Sequence, residues 1–433
     1  MAARLLLLLL PLALALASTA DAAELSIAAY PSIQAALDAN PNRVLFVPAG
    51  DYPITDAIRI RGDRGGLFGP GRIIQQNADR QIVVIDGATG VEIRDLTLTR
   101  PDGSMDTARD GILAVKCRDL VIENVRVLDN RSNAGAITLV ESSHCRISRC
   151  LVRNYMRVSI DDRTASEDWG YAFNCTDGTG IKVIASTGTL IEGNRVIEDN
   201  LLPTPEMKAQ HTLGDFVKKN PVKGRLPSQT TWDGNYVNNW QQGSGIIVTS
   251  PEVSDLTRIL GNHIENAAQG LDIHADHVIV SGNVVVDSFV GMKAMHGSRN
   301  VIISGNQFVR NSLWSIGLMP GVAAHAAEDG KPDNADGGSI IANNIVSDFG
   351  HGRARWIWGD DNAPFKFDDG QHPDDPPLTD VIVTGNLIHT IGPPRYARAV
   401  VINASPTGPR GMHFSNNLFP PGSQGVCNQE LPP

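Results

Sequence analysis

The sequence predicts an all-β solenoid, a coil whose turns contribute short strands stacked in parallel, and three observations carry that prediction. A short frame recurs along the chain: VEIRDLTL, LVIENVRV, CRISRCLV, LIEGNRV, ILGNHI, VIVSGNVVV, VIISGNQFV, IIANNIV, VIVTGNLI and MHFSNNLF. One column of that frame reads Leu96, Val125 and Cys150, then Asn194, Asn262, Asn283, Asn306, Asn344, Asn386 and Asn417. The spacing is tightest in the middle, 21 residues from Asn262 to Asn283 and 23 from Asn283 to Asn306, within the range of repeat architectures. An inward asparagine at a bend can bond backbone groups of its own turn and its stacked neighbours, which offsets the burial of an amide. A β-sandwich also has short strands with regular turns, but it gives no reason for an asparagine column.

Taken in order, residues 1–22 read as a secretory signal. Arg4 supplies the charge, Leu5 to Ala17 the apolar core, and Ala20-Asp21-Ala22 the small-residue cleavage site. The apolar run is too short to span a membrane and no later stretch is longer, so the mature chain, 23–433, is expected outside the cytoplasm, periplasmic or extracellular. PSIQAALDA, residues 31–39, predicts a short helix with Ile33, Ala36 and Leu37 on one side, a cap for the open end of the coil. RVLFVPAGDYPI and IRIRGDRGGLFGPGRII follow as strands punctuated by Gly and Pro turns. The period then breaks at about 154–178, 200–243, 321–338 and 350–379, insertions long enough to wall a groove beside one face.

A formal net charge of −10 argues against a nucleic-acid partner. The second insertion is nonetheless locally basic, with Lys208, Lys218, Lys219, Lys223 and Arg225 against Glu206 and Asp215, a landing place for a polyanion. Trp232, Trp240 and Trp356, the last beside Arg355, offer apolar faces with a polar handle for a sugar, whereas Trp314 is expected to pack. The five cysteines are an odd number in a large chain, so they form no disulfide scaffold, and Cys145 and Cys150 fall at inward positions as buried thiols. Asp161-Asp162 and Glu167-Asp168 are candidates for a hydrolytic carboxylate pair, or for calcium ligands in the case of Asp161 and Asp162. Asp360-Asp361, Asp368-Asp369 and Asp374-Asp375 read as an acidic solvated run, with calcium as the alternative. No other cofactor is indicated, and a monomer is expected.

The chemistry concentrates between Gly270 and Gly297. Aligned on Gly270 and Gly291, two turns place Leu271-Asp272-Ile273-His274 above Met292-Lys293-Ala294-Met295. With Leu271, Ile273, Met292 and Ala294 inward, alternation turns Asp272, His274, Lys293 and Met295 outward, and stacking about 4.8 Å apart sets Asp272 beside Lys293. The same column extends through Ile247 to Lys182, and His296 follows at the edge. The expectation is an exposed patch of two lysines, an aspartate and histidines, whose mutual influence can produce working acids and bases. An ordinary cross-strand ion pair is the alternative reading of Asp272 and Lys293.

The repeat frame, with SIQAALDA and VLFVPAGDYPI before it, resembles the right-handed parallel β-helix proteins of the pectate-lyase-like superfamily, and the right hand is what that resemblance implies. Gly-Leu-Asp-Ile-His resembles the Gly-Phe/Ile-Asp-Pro-His segment of alginate (mannuronan) epimerases. That resemblance implies catalytic roles for Asp272 and His274, with Ile273 in place of the proline. Gln269 stands where some members carry a catalytic tyrosine. Chemically, removing the ring proton next to a uronate carboxylate needs that carboxylate neutralised and a base positioned. Lys293 or Lys182 suits the first task and His274 the second. The expected activity is therefore that of a lyase or epimerase on an anionic polysaccharide. A non-catalytic glycan-binding surface protein and a glycoside hydrolase are the alternatives.

Overall fold

The computed structural model describes residues 25–101, 107–158, 176–199, 243–251, 253–320, 335–353, 362–369, 376–404 and 408–433. Residues 1–22, read above as a secretory signal, lie outside them. Among the described residues, three parallel sheets of twelve, eleven and eleven strands run the length of the molecule. Each turn gives one short strand to each sheet in fixed order. Arg258–Leu260, His263–Glu265 and Gln269–Ile273 make one turn, and Ile279–Ser281, Val284–Val286 and Val290–Met295 the next. Every strand pairs with its counterpart one turn away, residue for residue, so each position of the repeat becomes a column along the axis.

Alternation decides what the columns hold. Ile259, Val280, Ile303, Ile341 and Val383 of the first sheet point inward, as do Ile264, Val285, Phe308 and Val346 of the second. Leu271 with Ile273, and Met292 with Ala294, fill the third. All belong to one continuous apolar core, where each branched side chain touches its equivalents above and below.

The asparagine column lies at the corner between the first and second sheets. Asn283 Nδ2 donates to Asn306 Oδ1 at 3.0 Å and to the Ile259 carbonyl at 2.9 Å. Its own Oδ1 accepts from the backbone N–H and the Nδ2 of Asn262, both at 2.9 Å. The pattern runs from the Cys150 N–H, bonded to Asn194 Oδ1, to Asn417 Oδ1. The residue before each of these asparagines turns the corner in the left-handed region, at φ +67° for Gly282 and +66° for Gly305, which is why Gly-Asn recurs in the frame.

The N-terminal cap is the helix Ile33–Ala39, with the Ser32 Oγ accepting the Ala35 N–H and with Ile33, Ala36 and Leu37 buried. The first insertion opens from a two-stranded antiparallel ribbon, Arg157–Val158 against Thr176–Asp177. The last departs from expectation: Ala363–Phe367, inside 350–379, is a full strand of the third sheet, between Trp314–Met319 and Val400–Ile402. It carries no Gly-Asn signature, because that signature belongs to a corner the third sheet does not form. Trp314, expected to pack, sits at the start of a sheet strand, partly buried against the core. No helix among the described residues is long and apolar enough to cross a membrane.

Cys117, Cys145 and Cys150 are free, buried thiols. Burial pushes Cys145 up to about 11 and Cys150 up to about 12, so both stay protonated.

Replacing Asn283 by Ala removes the acceptor of the buried Asn262 N–H and the amide donor to the Ile259 carbonyl, and leaves Asn262 Nδ2 with the Ile191 carbonyl alone. We predict a loss of about 3 kcal/mol, read as a lower urea midpoint with unchanged slope.

Candidate functional site

The outward side of the third sheet carries a polar column. Register aligns Thr138, Lys182, Ile247, Asp272, Lys293, Gly317 and Lys366, one per turn. Two residues further along the strands, a second outward column holds Thr249, His274, Met295, Met319 and Asp368. Asp272 is where the two columns meet chemically. Its Oδ1 lies 2.7 Å from His274 Nε2, and its Oδ2 lies 3.5 Å from Lys293 Nζ and 3.3 Å from the hydroxyl of Ser244, which donates to it. Thr249 Oγ1 stands 3.5 Å from the other ring nitrogen of His274, Nδ1. His296 closes the group, its ring edge-on to His274 with centroids 4.6 Å apart.

The face is not the open one the alternation suggests. Asp272 retains 6% of its side-chain exposure, and His274 and Lys293 retain 14% each, although all three point away from the apolar core. Met295, expected outward, is also buried. Packed columns explain part of this. At a spacing of one rung each side chain shields the next, and Ser244, Thr249 and His296 fill the gaps around Asp272. Burial acts to raise the Asp272 carboxyl. The charges of His274 and Lys293, the His274 hydrogen bond and the charge of His296 more than reverse it and hold the group well below the usual carboxylate range.

Lys182 shares the column but stands two rungs from Asp272, with Ile247 between them. Gln269 begins the strand of Asp272, and its side-chain oxygen is buried without a hydrogen-bond partner. Trp232, Trp240, Lys208, Lys218, Lys219, Arg355 and Trp356, and the proposed calcium or hydrolytic residues Asp161 and Asp162, lie outside the described residues. Asp368 and Asp369 do not form a solvated acidic run. Asp368 pairs with Lys366 at 3.5 Å, and the Asn403 amide bridges Asp368 and Asp369 at 2.9 and 2.6 Å. Lys366 is absent from the sequence-based site because its strand lies in a stretch that breaks the repeat. The alternation in Phe365-Lys366-Phe367, apolar-polar-apolar, was the available signal. Ser244 and Thr249 carry no sequence signal beyond their place in the columns.

No protein-family model matches the sequence, and no curated protein sequence matches it either. Solved structures do. The Dettilon tailspike protein aligns over 91% of the chain at a TM-score of 0.56 and 14% identity, the chain spanning 64% of the tailspike's length. The A-module of a mannuronan C-5 epimerase from Azotobacter vinelandii aligns over 90% of the chain and 99% of its own, at 0.52 and 11%. The fold is a right-handed parallel β-helix. A third β-helix, an alginate lyase, aligns over 94% of the chain and 87% of its own, at a TM-score of 0.51 and 9% identity. Identities this low speak for the β-helix architecture.

Because the Asp272 carboxyl is depressed on folding, its ionised form stabilises the β-helix fully above the ordinary carboxylate range. That contribution is lost as pH falls toward the folded-state value. Asp272→Asn should flatten this part of the pH–stability curve and cost about 3 kcal/mol at pH 7 by leaving Lys293 without its counter-charge and His274 without its carboxylate partner, measured by denaturant titrations between pH 3 and 8.

Proposed function

We propose that the Asp272 cluster removes the ring proton next to the carboxylate of a uronate within an acidic polysaccharide, making the protein a polysaccharide lyase or epimerase. The observation that carries this reading is a buried carboxylate on an outward face, held ionised between a histidine and a lysine. Withdrawing three ionisable groups from water is costly even when they pair, and clusters of this kind are concentrated at functional sites.

In this reading each group has its own task. With His274 neutral and its Nε2–H donated to Asp272, the lone pair sits on Nδ1, and that nitrogen is the base. Asp272 fixes the tautomer and stabilises the imidazolium that forms when the proton arrives. Lys293 has three N–H donors, of which one serves Asp272, so its ammonium can also neutralise the substrate carboxylate and the negative charge that develops on it. His296, beside His274, is placed to return or relay a proton. Reprotonation of the opposite ring face completes an epimerisation. Loss of the glycosidic oxygen from the neighbouring carbon, with the pair of electrons left by the proton forming the double bond, completes an elimination.

Incubation with alginate, pectate and glycosaminoglycans decides the outcome. New ultraviolet absorbance of unsaturated uronates identifies a lyase, and solvent-deuterium uptake without chain cleavage identifies an epimerase. New reducing ends without that absorbance, or binding without product, would refute proton abstraction. His274→Ala should lower kcat by about 10² to 10⁴ while the melting temperature stays within a few degrees of the parent.

A further inference from the structure

On the outer faces of the first and second sheets the chain changes character partway along the axis. Segments 92–99, 121–128, 146–153, 190–197 and 258–265 each give one strand to either sheet, and each carries at least two charged side chains, such as Glu192 and Arg195. The equivalent segments of the next five turns, 279–286, 302–309, 340–347, 382–389 and 413–418, carry no Asp, Glu, Lys or Arg. Register sets Ile279, Ile302, Ile340 and Ile382 above one another on the first sheet, with Ser281, Ser304, Ala342 and Thr384 in the column two residues along. Round the corner, the second sheet adds a column of Val284, Gln307, Ile345 and Leu387. Ile302, Ile340, Ile345 and Ile382 keep between 37% and 41% of their surface, so they face solvent. Ion pairs stand at both borders of this uncharged face, Arg299 with Asp276 before the first sheet and Arg310 with Asp287 after the second.

We propose that a second copy of this chain docks on the uncharged face, so that the protein self-associates through its later turns. The earlier turns show how the same columns are filled when they meet water, and they are filled with charge. An apolar centre depleted of charge, with charged residues at its rim, is the anatomy of a protein–protein contact. Five rungs spaced about 4.8 Å apart and eight residues at about 3.3 Å each give a face of about 600 Å². That is at the upper limit of what monomers leave bare, and near the about 800 Å² that one partner gives to a standard interface. Its relief matches itself. The isoleucine column is a ridge beside a furrow of small residues, and the ridge of one copy fits the furrow of another when their coil axes lie parallel. Other occupants suit it less: an acidic glycan needs cations, and a lipid surface is met by basic and aromatic side chains, all of which are missing from these outward positions. The Asp272 cluster lies on the third sheet, outside this face, so self-association stands apart from the catalytic reading.

Sedimentation equilibrium of the purified protein at micromolar concentrations is the test. The expected mass is a multiple of that of one chain, falling towards it on dilution. Ile302→Lys combined with Ile340→Glu sets an ordinary surface ion pair in the centre of the face, on neighbouring rungs, and should weaken association at least about tenfold. Ile340→Val should leave association close to that of the parent. Leu190→Glu, in the same column among the earlier turns and flanked by Arg146 and Arg258, should leave it unchanged. Melting curves confirm that each variant folds. A parent that stays a single chain at every concentration overturns the proposal, and if that single chain cosediments with phosphatidylcholine vesicles the face belongs to a lipid surface instead. Equal association by the parent and the Ile302→Lys, Ile340→Glu variant, or an equal loss with Leu190→Glu, overturns it as well.

Discussion

Strict parallel register is the constraint on which the rest of the structure depends. Each strand pairs residue for residue with the strand one turn away, so a side chain's surroundings are set by its column and its rung. The same rule stacks isoleucine on isoleucine inside the coil, asparagine on asparagine at one corner, and Asp272 on Lys293 outside. A slip of one residue would exchange inward and outward sets on all of these at once. The asparagine ladder opposes such a slip, because each amide finds its partners only when neighbouring turns are aligned.

Much of this was legible in the sequence. Seven asparagines in one column gave the repeat, and alternation on either side of Gly270 and Gly291 gave the pairing of Asp272 with Lys293. The cap helix was legible as well, since Ser32 and the apolar positions Ile33, Ala36 and Leu37 are local signals. What escaped was long-range. The strand Ala363–Phe367 lacks the corner signature, so it was absorbed into an insertion, and Lys366 with it. Burial of the outward face was also invisible, since alternation reports which side a residue faces and not what stands over it. The reach of Trp314 along its strand to cover Gly317 depends on the missing side chain at that glycine, a relation between two positions whose separate letters give no hint of it.

The charged groups of the third sheet contrast with those elsewhere. Arg72 with Asp51, and Arg153 with Asp199, form ion pairs at the surface with both partners substantially solvated, and such pairs contribute little. The Asp272 and Lys366 pairs are nearly dry. Withdrawal from water strengthens each attraction and at the same time charges a desolvation cost for every group. A carboxylate kept ionised under those conditions is one whose partners are already held in place around it.

The three cysteines of the earlier turns have a practical consequence of their own. Cys117, Cys145 and Cys150 are sealed in the interior, and burial raises all three thiols, so at these three positions reagents that need a thiolate meet none while the turns stay closed. Their alkylation rate therefore reports the opening of one end of the spiral, with no introduced label. It can show whether that end frays independently of the remainder or whether all storeys come apart together.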